Sequence, residues 1–127
     1  MHQFEKHFTV AEARALLPAL RRLFKDVHAR RDRARKIDAQ LGERLTASGG
    51  DLGGKLVTDL LTDVVALNAE LRLWQERGVV IKDFERGLVD FPSLRADREV
   101  FLCWELDEED IEFFHDIDAG YAGRERL

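Results

Sequence analysis

Eight carboxylates and one histidine lie between Glu105 and Asp118, in ELDEEDIEFFHDID, with no Lys or Arg among them. Imidazole beside carboxylates is ligand chemistry for zinc, manganese or iron, and acid–base chemistry where such groups converge. A short helix over DEEDIEFFHD would bring Glu108, Glu112 and His115 to one face, and Glu112 and His115 have the i,i+3 spacing of carboxylate-bridged dimetal bundles. Those bundles need a second such motif and two further glutamates, which the chain lacks. Helix electrostatics offers a competing account: Asp107 as N-cap and acids in the first turn both stabilise a helix start. That covers the cluster at 107–112 and leaves Asp90, His115, Asp118 and Arg124 unexplained. Asp90 sits in LVDFP, a strand pattern ahead of a proline, and a carboxylate on a covered sheet needs a partner such as His115 or Arg124. Asp118 and Arg124 can pair to pin the tail.

The elements that must position these residues read as a small sheet. VVIKD (79–83), GLVDF (87–91) and EVFLCWEL (99–106) are rich in β-branched and aromatic residues, and DFERG and PSLRADR supply the turns. A three-stranded antiparallel meander followed by a short C-terminal helix is the simplest arrangement. Strand alternation sends Val100, Leu102, Trp104 and Leu106 to one face and Phe101, Cys103 and Glu105 to the other, so the last strand is central. Trp104 reads as core. Cys103 reads as a small buried apolar group, with no visible base to make it a nucleophile.

The first half reads as a long antiparallel two-helix coiled-coil hairpin over about 9–78. Thr9 and Glu12 make a capping box with Phe8 before it, and apolar residues recur at helical spacing to about residue 46. SGGDLGG (48–54) permits a reversal. A second helix over about 54–77 follows, with Gly78 as its stop. Its apolar residues, from Leu56 to Trp74, cover more of the circumference than a two-helix seam uses, which predicts a homodimer through the hairpin. Between Arg21 and Lys36 the first helix carries eight basic residues and two acidic ones. That is a candidate nucleic-acid face, but no aromatics interleave with the charges, and Asp26 with Arg30 can pair at i,i+4. The solvated-face reading is preferred.

At 127 residues and a net charge of −5, the α+β chain is expected to form a single domain, 1–127, with the sheet and acidic segment over about 79–127. Charge is uneven: 1–78 holds 14 Lys/Arg against 11 Asp/Glu, and 79–127 holds 6 against 14. One cysteine excludes an intramolecular disulfide. No apolar run reaches membrane-span length and no secretory signal pattern opens the chain, so a cytoplasmic protein without a membrane partner is expected.

FTVAEARALLPAL, GLVDFPSLRADREVFLCWEL and HDIDAGYAGR together resemble the prokaryotic domain-of-unknown-function family 2203. The resemblance brings no established activity, substrate or cofactor. It does select residues: Gly87, Asp90, Pro92, Cys103, Trp104, Glu108, His115, Asp118, Gly120, Gly123 and Arg124. It passes over Glu112 and the basic run. The family commonly has Trp before the histidine, where this chain has Phe114, which removes an indole donor.

The expected function is a non-catalytic, dimeric assembly or ligand-binding protein, with Asp90, Cys103, Trp104 and Arg124 as ligand- or partner-site candidates. The alternative is a metal-binding protein or metal-dependent enzyme holding a divalent transition metal through Asp90, Glu108, His115 and Asp118. A nucleic-acid binder using 21–36 comes last. No Walker loop, G-x-S-x-G, H-E-x-x-H or C-x-x-C motif is present.

Overall fold

The computed structural model describes residues 2–47 and 54–127. The order is two helices, α1 (Val10–Ala47) and α2 (Gly54–Glu76), then strands β1 (Val80–Asp83), β2 (Leu88–Arg95), β3 (Arg98–Trp104), β4 (Phe113–Asp116) and β5 (Glu125–Arg126). The reversal expected at 48–53 lies outside the described residues. Contacts divide the chain into two compact units, the segment up to Phe24 with Leu73–Leu127, and Lys25–Arg72.

In the first unit, α1 starts as its sequence requires. The Thr9 hydroxyl accepts the Glu12 N–H at 3.0 Å and the Glu12 carboxylate accepts the Thr9 N–H at 2.9 Å, which closes the capping box. Ala13, Leu17, Leu20, Leu23 and Phe24 form its buried stripe. At the end of α2, the Val79 N–H reaches Trp74 O and the Gly78 N–H reaches Gln75 O. With Gly78 at φ +90, this is a Schellman stop that only glycine adopts freely.

The sheet has five antiparallel strands in the order β1-β2-β3-β4-β5, not three. The first three are the expected ones and β3 is the middle strand. PSLRADR is not all connection: β2 continues through Pro92 to Arg95, and only Ala96 and Asp97, at φ 50 and 64, make the turn. Proline is tolerated inside β2 because the pairing with β1 ends at Asp90. Beyond that point the N-terminal segment takes the edge: Phe8 N–H donates to Pro92 O at 2.7 Å and Ser93 Oγ donates to Phe8 O at 2.6 Å.

The short C-terminal helix is absent. Residues 105–112 form turns, FFHD is strand β4 paired to β3, and the only helical element of the tail is a 3-10 turn at Tyr121–Gly123. The acids favour this outcome because they serve the turns themselves. Glu108 Oε1 accepts the Glu105 N–H, and Asp110 Oδ1 accepts the Ile111 N–H and Arg14 Nε. Strand pairing to β3 engages all four residues of FFHD and buries Phe114 and His115 on opposite faces.

Gly87, before β2, has φ +66, and a Cβ there would stand 2.5 Å from the Leu106 Cβ. Gly87→Ala is therefore expected to lower stability by more than ~1 kcal/mol, read as a reduced urea midpoint with an unchanged m-value.

The N-terminal segment is anchored at Glu99. Its carboxylate accepts the Gln3 N–H at 2.6 Å and the Phe4 N–H at 2.9 Å, and His7 Nε2 lies 2.8 Å from it. Burial pushes this carboxyl upward, but the bonds from Gln3, His7 and Phe4 prevail and hold it at about 2 against an ordinary 4.5. A depressed carboxylate stabilises the folded chain above its unfolded pKa, and that stability is lost as pH falls. Stability is thus expected to drop between pH 4.5 and 2, and Glu99→Gln to flatten that part of a thermal-melt pH series.

In the second unit, α1 and α2 lie side by side. Arg33 grips both Asp63 oxygens at 3.0 and 2.8 Å, and Arg30 donates to Asp63 O at 3.0 Å and to Asp26 at 2.9 Å. Val27 and Ile37 are buried. Val57, Leu61, Val64 and Val65 form an exposed stripe on α2, with Leu61 at 59% and Val65 at 68%.

Candidate metal centre

The site is built on the face of the sheet opposite Trp104. Cross-strand register aligns Asp90, Cys103 and Phe113 in one row, and Pro92, Phe101 and His115 in the next. Alternation puts both rows on the same face. Trp104, Leu102 and Phe91 point the other way, where Phe24 meets Trp104 and Phe8 meets Phe91.

Asp90, Cys103 and His115 are 3%, 1% and 2% exposed. One ligand atom from each lies within 4.8 Å of the other two. His115 Nε2 is 3.1 Å from Asp90 Oδ1, and His115 Nδ1 is 2.8 Å from the Asp116 carbonyl oxygen. A carbonyl only accepts, so Nδ1 carries a proton and Nε2 is the nitrogen turned toward Asp90. Two bare lone pairs would not face each other in a buried site, so one proton lies between Nε2 and Oδ1. Burial, and then the Asp90 carboxylate, push the Cys103 thiol up to about 12, with Arg124 pulling the other way. The thiol is therefore protonated at neutral pH and is no nucleophile in the metal-free protein. His115 also spends its two nitrogens on Asp90 and Asp116, which leaves neither to activate Cys103.

A pocket of about 190 Å³ adjoins the three groups, bounded by Lys82, Phe101, Ile117 and Tyr121. The Lys82 ammonium stands 5.6 Å from the Phe101 ring centroid.

The expected ligand set is thus redistributed. Of the two partners the sequence offered Asp90, His115 is the one that meets it, and Arg124 pairs elsewhere. Glu108 lies elsewhere: both its oxygens hold Arg124 Nη2, at 2.7 and 2.8 Å, and its carbonyl accepts Trp104 Nε1–H at 2.9 Å. Asp118 is exposed and outside the group. Glu112 is exposed too, so the helical E-x-x-H face does not form. Arg124 packs over Phe113 at 4.0 Å and Tyr121 at 4.6 Å, which makes it a clamp on the tail. Cys103 enters the group instead, on the face that strand alternation had given it. Of the eight basic residues in 21–36, Arg21, Arg30, Arg31 and Arg33 are engaged within the chain.

No helix among the described residues is long and apolar enough to cross a membrane. The chain finds no match among curated proteins or among solved structures. A family model described as Uncharacterized conserved protein (DUF2203) matches residues 6–127, and the chain belongs to that family.

Proposed function

We propose that this member of the DUF2203 family binds a divalent transition metal of the zinc class through Asp90, Cys103 and His115, leaving one coordination position for a small ligand from the adjoining pocket. The observation that carries this reading is the orientation of His115. Metal-binding histidines typically give their second N–H to a carbonyl or carboxylate, which fixes the ring and frees the other nitrogen. Here the Asp116 carbonyl takes Nδ1–H and Nε2 points at the Asp90 carboxylate, with the Cys103 thiol in the same group. Tetrahedral zinc holds N, O and S ligands ~3.3–3.6 Å apart, from bonds of ~2.0–2.3 Å. The 3.1 Å Nε2–Oδ1 separation is near that value, so this pair needs to part only slightly for a metal to replace the shared proton, and the thiol closes in from within 4.8 Å. Coordination also deprotonates the thiol outright. One imidazole, one thiolate and one carboxylate make a zinc or cobalt set with a vacancy, the pattern of sites that accept water or substrate.

The test is titration of the tag-free, reduced protein with Co²⁺. A thiolate-to-cobalt charge-transfer band that saturates and disappears on adding Zn²⁺ is the expected result. Weak d–d absorption alone, without that band, would contradict ligation by Cys103.

The exposed stripe Val57, Leu61, Val64 and Val65 favours a second element of the reading, a homodimer in which α2 meets its own copy. A stripe at helical spacing is self-complementary about a two-fold axis, and one this apolar is expected to be covered. Sedimentation velocity is expected to give a dimer that Leu61→Glu with Val65→Glu converts to monomer; a wild-type monomer at all concentrations would reject it.

A further inference from the structure

We propose that His2, His7 and Glu99 form a second divalent-metal site, chemically distinct from the first, that clasps the N-terminal segment onto β3. One ligand atom from each of the three lies within 4.8 Å of the others. His7 and Glu99 are largely covered, at 17% and 11% side-chain exposure, and His2 is exposed. The two imidazoles stand nearly perpendicular with centroids 5.2 Å apart, and His7 Nε2 is 2.8 Å from Glu99 Oε2.

The hydrogen bonding of Glu99 decides what can change there. A carboxylate offers about four acceptor positions, and Gln3 N–H, Phe4 N–H and His7 take three of them. The two backbone bonds fix the carboxylate in place. The contact with His7 is the replaceable one: a metal standing where its proton stands keeps both backbone bonds and needs Nε2 and Oε2 to part by only about half an ångström. The exposed His2 ring closes the set by side-chain rotation. Two imidazoles and one carboxylate, with the remaining positions open to water, suit Zn²⁺, Co²⁺ or Fe²⁺. Without a thiolate and with one exposed ligand, this site is the weaker and faster-exchanging of the two.

Its consequence follows from where the ligands sit. His2 and His7 flank Phe4, whose ring packs edge-on against Phe101 at 5.2 Å. Phe101 in turn lies 5.4 Å from the His115 ring and lines the pocket. A metal at the clasp holds Phe4 against Phe101, the ring that stands between it and the His115 imidazole.

The experiment is ZnCl₂ calorimetry on the full, tag-free chain, with hydrogen exchange of residues 3–8 with and without zinc. The expected result is a weaker class of site whose affinity falls at least ~10-fold in His7→Ala and in His2→Ala, the low end for loss of a metal-site partner. Zinc-induced protection of the Gln3 and Phe4 amides should vanish in the same variants, while the thiolate–cobalt band of Cys103 persists. His2→Ala alters only an exposed side chain, so its result cannot be blamed on unfolding. Zinc binding and amide protection unchanged in both variants would overturn the proposal. The outcome is independent of the inner site: loss of the weaker class in His2→Ala supports the clasp even if Cys103 yields no cobalt band.

Discussion

Cys103→Ser is expected to weaken zinc binding at the inner site by more than ~100-fold while leaving the metal-free protein folded, because loss of a direct ligand exceeds the 10–100-fold cost of losing an outer partner. Serine nearly matches cysteine in size, so the buried position between Asp90 and Phe113 in the sheet keeps its packing. What changes is the donor. A thiolate binds zinc strongly as a soft ligand, whereas a serine hydroxyl gives up its proton far less readily. Competition against a chromophoric chelator measures the change. If Cys103 were only a small core residue, the substitution would shift the melting temperature and leave zinc affinity where it was.

Asp90→Ala carries the second large effect, on the stability of the metal-free protein. Removing one member of a buried, hydrogen-bonded pair leaves the other without a partner, which costs ~3–5 kcal/mol. Both members are almost fully covered here, at 4% and 2% side-chain exposure, so solvent offers His115 little relief. Replacing both, as Asp90→Leu with His115→Phe, removes the polar groups together and is expected to recover most of that loss. Urea unfolding in EDTA, run as a double-substitution cycle, reads the coupling. A loss below ~1 kcal/mol for Asp90→Ala, the size of an ordinary substitution, would mean that the pair does not organise this face.

The helices were legible because their signals are local. The Thr9–Glu12 box marks the start of α1 and Gly78 the stop of α2, each through residues only a few positions apart, and the observed bonds are the ones those residues imply. The first three strands were legible from β-branched and aromatic runs. β4 and β5 were not, since four and two residues carry too little pattern, and FFHD follows acids that look like a helix start. That misreading also grouped Glu108, Glu112 and His115, which share a face only if DEEDIEFFHD is helical; with FFHD in β4 that face does not form. That Asp90 has a buried partner was legible because it rests on the cost of burying a lone carboxylate, which does not depend on the element around it, whereas the choice of His115 over Arg124 was not. Cys103 was counted among the ligand- or partner-site candidates but left out of the metal set, because a buried thiol reads as a small apolar side chain. The missing signal was available: once GLVDF and EVFLCWEL pair as a hairpin, Asp90 and Cys103 fall opposite each other on the face away from Trp104.

The most direct test of the inner metal site is elemental analysis of untagged protein purified and dialysed without chelator, compared with His115→Gln prepared identically. The account predicts stoichiometric zinc-class metal in the wild type and its loss in the variant, with the variant still folded by circular dichroism. Metal absent from both, after zinc has been offered and excess removed, or equal metal in both, would contradict it.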